Sequence, residues 1–153
     1  MKDRLENIER VVITGVLGNL GWKLLCHLAH NRHVKHIFGL DKAQPSQQQQ
    51  HFLDNQQAPA RIEIVKCDLT DWHDARWQTV FSKASAVVHF AARNPFPDAT
   101  WEEAQDSLDM TINTVLAAAE SPSIRRFVFA SSNHVMGRYL DSPLAGTIAP
   151  GAL

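Results

Sequence analysis

The eleven residues Val11-Val12-Ile13-Thr14-Gly15-Val16-Leu17-Gly18-Asn19-Leu20-Gly21 constrain this chain more than any others. Apolar β-formers run directly into Gly-x-x-Gly-x-x-Gly, and a helical pattern follows at once. Gly15 permits a tight turn off the strand. Gly18 removes the Cβ that would hold an anionic ligand away from the backbone, and Gly21 lets the new helix pack close against the strand. The first turn of that helix, Asn19-Leu20-Gly21, offers unpaired N–H groups and the positive end of the helix dipole to a diphosphate. Leu20, Leu24 and Leu28 share one side of the helix, and the spacing predicts that they form its buried stripe.

A second apolar run, Val34 to Leu40, ends on Asp41, 26 residues beyond Gly15. A carboxylate at the tip of a second strand accepts a hydrogen bond from a ribose 2′-hydroxyl and repels a 2′-phosphate. Asp41 therefore favours NAD over NADP as the dinucleotide.

Strand and helix patterns alternate along the rest of the chain, which predicts an α/β, doubly wound parallel sheet. Arg61 to Cys67 alternates as a third strand, and Asp68-Leu69-Thr70-Asp71 closes it. Thr70 or Asp71 is the expected cap of a helix over about 72–82. Ala84 to Phe90 reads as a buried fourth strand, ending in Ala91-Ala92-Arg93-Asn94-Pro95. A long helix over about 99–120 follows, and Ile124 to Ala130 forms a fifth strand that delivers Ser131-Ser132-Asn133-His134. Residues 43–60 break the alternation. They are rich in glutamine and poor in apolar side chains, so they are expected to form a mobile loop with no chemistry of their own.

Composition narrows the function classes. A chain of 153 residues with a net charge of −1 and no basic block suggests neither a nucleic-acid surface nor an anionic membrane partner. No apolar run is long enough to span a bilayer and the first ten residues are polar, so a cytoplasmic location is expected. Cys26 and Cys67 then read as packed thiols. His27, His30, His33 and His36 recur every third residue, but that interval turns round a helix surface and no further ligand completes a set. They read as exposed helix and turn residues, and no metal site is expected.

Five segments in register resemble the extended short-chain dehydrogenase/reductases, the NAD-dependent epimerase/dehydratase family. They are Thr14-Gly-x-x-Gly-x-x-Gly21, Asp41, Asp68-Leu69, His89-Phe-Ala-Ala92 and Ser131-Ser132-x-x-Val135-x-Gly137. Ser131-Ser132-Asn133-His134-Val135 is most similar to the uronate dehydrogenases of that family. The resemblance implies a Rossmann-like NAD(P)-binding domain over residues 1–153 and a sugar or uronate substrate. It implies that Asp68 accepts from the adenine amino group with the Leu69 backbone beside it, and that Ala91 and Ala92 pass under the ribose and phosphates. Ser132 takes the position of the catalytic Ser/Thr, while Asn94, Asn133 and His134 fall among the substrate-binding positions. A homodimer is a further expectation.

Two departures limit what the resemblance carries. Where the family usually has Asn-x-x-Gly-Thr, this chain has Ser107-Leu108-Asp109-Met110-Thr111. The family's Tyr-x-x-x-Lys pair, which moves the hydroxyl proton and holds the nicotinamide ribose, is absent. The single tyrosine is Tyr139, and Pro143 stands four residues on. In the family the pair lies further along the chain, beyond the position of Leu153. The sequence therefore reads as the cofactor-binding half of an oxidoreductase, truncated after about five strands, without its C-terminal substrate region and inactive alone. A non-catalytic NAD-binding or regulatory module is the alternative.

Overall fold

A computed structural model of the chain describes residues 8–93 and 100–131. Nine elements alternate: β1 (Arg10–Thr14), α1 (Asn19–Ala29), β2 (His36–Asp41), α2 (Gln47–Asn55), β3 (Arg61–Lys66), α3 (Ala75–Phe81), β4 (Ala86–His89), α4 (Trp101–Glu120) and β5 (Arg126–Phe129). The strands form one parallel sheet in the order β3-β2-β1-β4-β5. The chain thus builds outward from β1 to β3, then returns to the other side of β1 for β4. That reversal is the topological switch point, where open α/β sheets place their ligands.

Side-chain alternation along β1 separates two cores. Val11 and Ile13 face a cluster with Leu25, Ala29 and Ile37, against which Phe52 of α2 also packs. Val12 faces the opposite cluster with Leu40, Trp77, Phe81, Val87 and Ala117. Helices α1 and α2 therefore cover one face of the sheet and α3 and α4 the other, which is the doubly wound arrangement. Val11, Val12 and Ile13 are all buried, as expected of a strand covered on both faces.

The glutamine-rich segment 43–60 is not all loop, because Gln47–Asn55 within it is helical. Ser46 accepts from the Gln49 N–H and the Gln49 side chain returns the bond to the Ser46 N–H, a capping box that starts α2. Phe52 then meets the Trp22 ring edge-on at 5.5 Å. An aromatic contact, a reciprocal cap and a bond from Gln49 to the Leu17 carbonyl order a helix that has no buried residue.

The buried stripe of α1 is Gly21, Leu25 and Ala29, one position on from the leucines that spacing suggested. Leu24 and Leu28 pack at the margin of the core, and Leu20 is 59% exposed. Gly21 faces inward because only a residue without Cβ fits there, and that choice rotates the whole helix. Helix α1 ends at Ala29 with His30 as C-cap, just short of Asn31. Helix α3 begins later than expected because Asp74, not Thr70 or Asp71, caps it. Strands β4 and β5 are each shorter than their apolar runs.

His27, His30 and His33 are exposed, but His36 opens β2, stacked on Phe38 at 3.9 Å and 3.5 Å from a Glu63 carboxylate oxygen. Among the described residues there is no metal-ligating cluster and no helix long and apolar enough to cross a membrane. Both cysteines are free, Cys67 buried and Cys26 partly so; burial pushes the Cys67 thiol up to about 12.

Candidate functional site

A cleft of about 600 Å³ opens at the C-terminal ends of the strands, spanning the switch point between β1 and β4. That volume lies within the range of small-molecule and cofactor sites. Gly15, Gly18, Asp41, Asp68, Leu69, Ala91 and Ala92 all line it. These residues come from four separate stretches of the chain, and parallel pairing of β1 with β2 and β4, and of β2 with β3, brings them to one edge.

The glycine turn makes the floor. Gly15 has φ of 63°, the left-handed region that suits a residue without a side chain, and a Cβ there would stand 2.8 Å from the Ala91 nitrogen. The turn and the β4 exit therefore touch backbone to backbone. A Cβ on Gly21 would collide with the Gly15 carbonyl oxygen and the Val16 Cα. Gly21 thus lets the helix close on its own turn, rather than on the strand proper. Gly18 is the N-cap of α1, and no side chain caps the first turn. Its open N–H groups and dipole suit an anion. Asn19 and Leu20 begin this helix but do not line the cleft, and Gly21 is buried beneath it.

Two carboxylates close the far end. Asp41 Oδ2 accepts from the Leu17 N–H at 2.9 Å and its Oδ1 from the Ala43 N–H at 3.0 Å. Asp68 Oδ1 accepts from the Thr70 N–H and hydroxyl, at 3.0 and 2.7 Å. Its Oδ2 pairs with Lys42 Nζ at 2.7 Å. Partial burial raises the Asp68 pKa, but the bonds from Lys42 and Thr70 outweigh it and hold the group below its usual value. A carboxylate has about four lone-pair sites, so Asp68 keeps one for a further donor.

Several positioning residues were invisible in the patterns. Asp74 Oδ2 accepts from the Asp68 N–H at 3.0 Å while Arg76 grips both its oxygens, and the Arg76 bond holds its carboxyl down at about 2. Asn113 of α4 donates to the Leu69 and Thr70 carbonyls at 2.9 and 3.1 Å, fixing the turn that carries Asp68. Thr14 Oγ1 accepts from the Phe90 and Ala91 N–H groups, both at 3.1 Å, and lies 2.8 Å from His89 Nδ1. With its lone pairs so used, Thr14 donates its proton to Nδ1, which leaves the His89 proton on Nε2, facing Thr111 Oγ1 at 3.3 Å. Burial pushes His89 down to about 4 and keeps it neutral. Thr14 and His89 lie in the glycine and His-Phe-Ala-Ala segments; a polar residue at each strand end was the one available signal.

Ser132, Asn94, Asn133 and His134 lie outside the described residues.

Parallel sheet, switch-point cleft and glycine turn define a Rossmann-like α/β nucleotide-binding protein. The chain belongs to the NAD-dependent epimerase/dehydratase family, whose model matches residues 11–151. It is 32% identical to an L-arabinose 1-dehydrogenase (NAD(P)(+)) of Haloferax volcanii, over 86% of this chain and 44% of the relative. It is 26% identical to a uronate dehydrogenase of Pseudomonas putida, over 93% of this chain and 47% of the relative. Among solved structures, the Bordetella bronchiseptica enzyme WbmG in complex with NAD superposes with a TM-score of 0.61 at 26% identity, covering 78% of this chain and 36% of that one. The chain spans less than half the length of the curated relatives it matches.

Proposed function

We propose that these residues form the cofactor-binding half of an NAD-dependent oxidoreductase or epimerase acting on a sugar or uronate in the cytoplasm. The observation that carries the reading is that the Gly15–Gly21 turn and Asp41, bonded to it through the Leu17 N–H, line one cleft at the switch point. The cradle fits a dinucleotide: Gly15 and Gly18 keep Cβ atoms off the floor, α1 presents an uncapped N-terminus, and Asp41 stands at the tip of β2. In this reading Gly15 and Gly18 and the first-turn N–H groups at Asn19 and Leu20 hold the diphosphate while buried Gly21 lets the helix close on the turn, Asp41 holds the adenosine ribose, Asp68 and Leu69 the adenine, and Ala91 and Ala92 the path between. Bound NAD would supply a hydride acceptor. Ser132 would orient a substrate hydroxyl, with Asn94, Asn133 and His134 beside it. The relatives' activities on arabinose and uronate support a sugar-class substrate.

A second reading is a non-catalytic NAD-binding or regulatory module. On either reading the 153 residues alone reduce no NAD. Calorimetric titration with NAD and NADP tests the site, and NADH absorbance with galacturonate, glucuronate and nucleotide sugars tests turnover. Tighter binding of NAD with no turnover is expected; equal affinity for the two dinucleotides would sink the assignment of Asp41. Whether the coding DNA continues past Leu153 into Tyr-x-x-x-Lys separates enzyme half from module.

A further inference from the structure

The glutamine-rich helix α2 reaches the glycine turn through one side chain. Gln49 uses its Oε1 to accept the Ser46 N–H at 2.9 Å, inside the capping box. Its Nε2 is thereby aimed away from the helix, and it donates to the Leu17 carbonyl at 3.0 Å. Leu17 stands between Gly15 and Gly18, and its own N–H donates to Asp41 Oδ2. Beyond it, the Gly18 N–H donates to the Gly15 carbonyl at 3.1 Å. The two peptide groups flanking Leu17 are therefore held from outside the turn, one by the tip of β2 and one by the first turn of α2.

We infer that Gln49 is a positioning residue for the dinucleotide turn, and that α2 serves to deliver it. The inference rests on the proposed cofactor site and deepens it. Glycine-rich backbone loses more freedom on ordering than any other. A turn fixed before the ligand arrives leaves less of that ordering cost to the binding step. Asp41 then has two duties, toward the ribose and toward the turn, and Gln49 shares the second. The contact is independent of how α2 is anchored, since Phe52 on Trp22 holds the helix to α1 three residues on.

Three variants of the 153-residue chain separate the roles. Gln49→Met removes both bonds of the side chain. Gln49→Glu keeps the acceptor of the capping box, and so the helix, but loses the donor to Leu17. Ser46→Ala removes the cap hydroxyl yet leaves the backbone N–H that orients Gln49. Amide hydrogen exchange without ligand should quicken at Leu17 and Gly18 in both Gln49 variants and stay unchanged there in Ser46→Ala. NAD affinity by calorimetry should fall about 2- to 10-fold in Gln49→Met, the worth of one net hydrogen bond, and hold in Ser46→Ala. Unchanged exchange at Leu17 and Gly18 in both Gln49 variants overturns the inference, as does equal loss of NAD affinity in Ser46→Ala and Gln49→Met. If the unmodified chain binds no NAD, the site reading falls and the ligand role of Gln49 falls with it. The exchange result then still decides whether Gln49 holds the turn.

Discussion

Asp41 and His89 show how one side chain can carry more than its position suggests. The sequence proposes Asp41 as a ribose acceptor; in the structure its two oxygens hold the Leu17 and Ala43 N–H groups. Asp41→Ala is therefore expected to weaken NAD binding as well as to narrow the preference over NADP by on the order of 1–2 kcal/mol; calorimetry with both dinucleotides checks it. A preference left intact in the variant would assign the discrimination to a group other than Asp41. His89 is 1% exposed and burial lowers its pKa to about 4, below the 6.5 of the free side chain. Between those values the unfolded chain binds the extra proton, so stability rises with pH. The contribution is whole above about 6.5 and is lost as pH falls toward 4. Between pH 7 and pH 5 the unmodified chain should lose about 1–2 kcal/mol more than His89→Asn, measured by urea denaturation. Parallel losses in the two would show that His89 does not drive acid sensitivity.

Helices α1 and α2 illustrate why element boundaries and faces eluded pattern reading. The rotation of α1 is set by Gly21, whose missing Cβ lets the Gly15 carbonyl oxygen and Val16 backbone approach. An apolar count cannot see this, because glycine contributes nothing to a hydrophobic stripe. Gly21→Ala drives a Cβ into backbone rather than into a yielding side chain. A loss of about 1–3 kcal/mol is expected from overpacking, read as a lower urea midpoint. Unchanged stability would mean that the helix shifts freely off the turn. Helix α2 is hidden from pattern reading for the opposite reason. Its composition is that of a disordered segment, and four consecutive glutamines hide a capping box whose effect depends on Trp22, far away in sequence.

At the scale of the molecule, the sheet among the described residues ends on β5, with Val128 and Phe129 about half exposed. Leu108, Ile112, Val115 and Leu116 form a stripe on α4 and are also exposed at helical spacing. A half-bare apolar strand edge and an apolar helix face promote association. Light scattering on the purified chain is expected to show dimers or larger species at micromolar concentration. A monomer with one cooperative melt would show instead that these surfaces are tolerated and that the chain is stable as it stands.

The parallel α/β class, the glycine turn, Asp41 and the Ala91–Ala92 exit were all legible in the residues, because each depends on local chemistry: β-branched runs, missing Cβ atoms, a carboxylate at a strand end. What only the tertiary structure decided was which partners meet across long stretches of chain. Thr14 finds His89 and the β4 exit through the pairing of β1 with β4. Asn113 reaches back to the turn after β3, and Gln49 reaches the glycine turn from a segment that looked disordered. Such bonds join residues 32 to 77 positions apart. Periodicity and propensity describe neighbours along the chain, and no local rule carries the register that brings these groups within hydrogen-bonding distance.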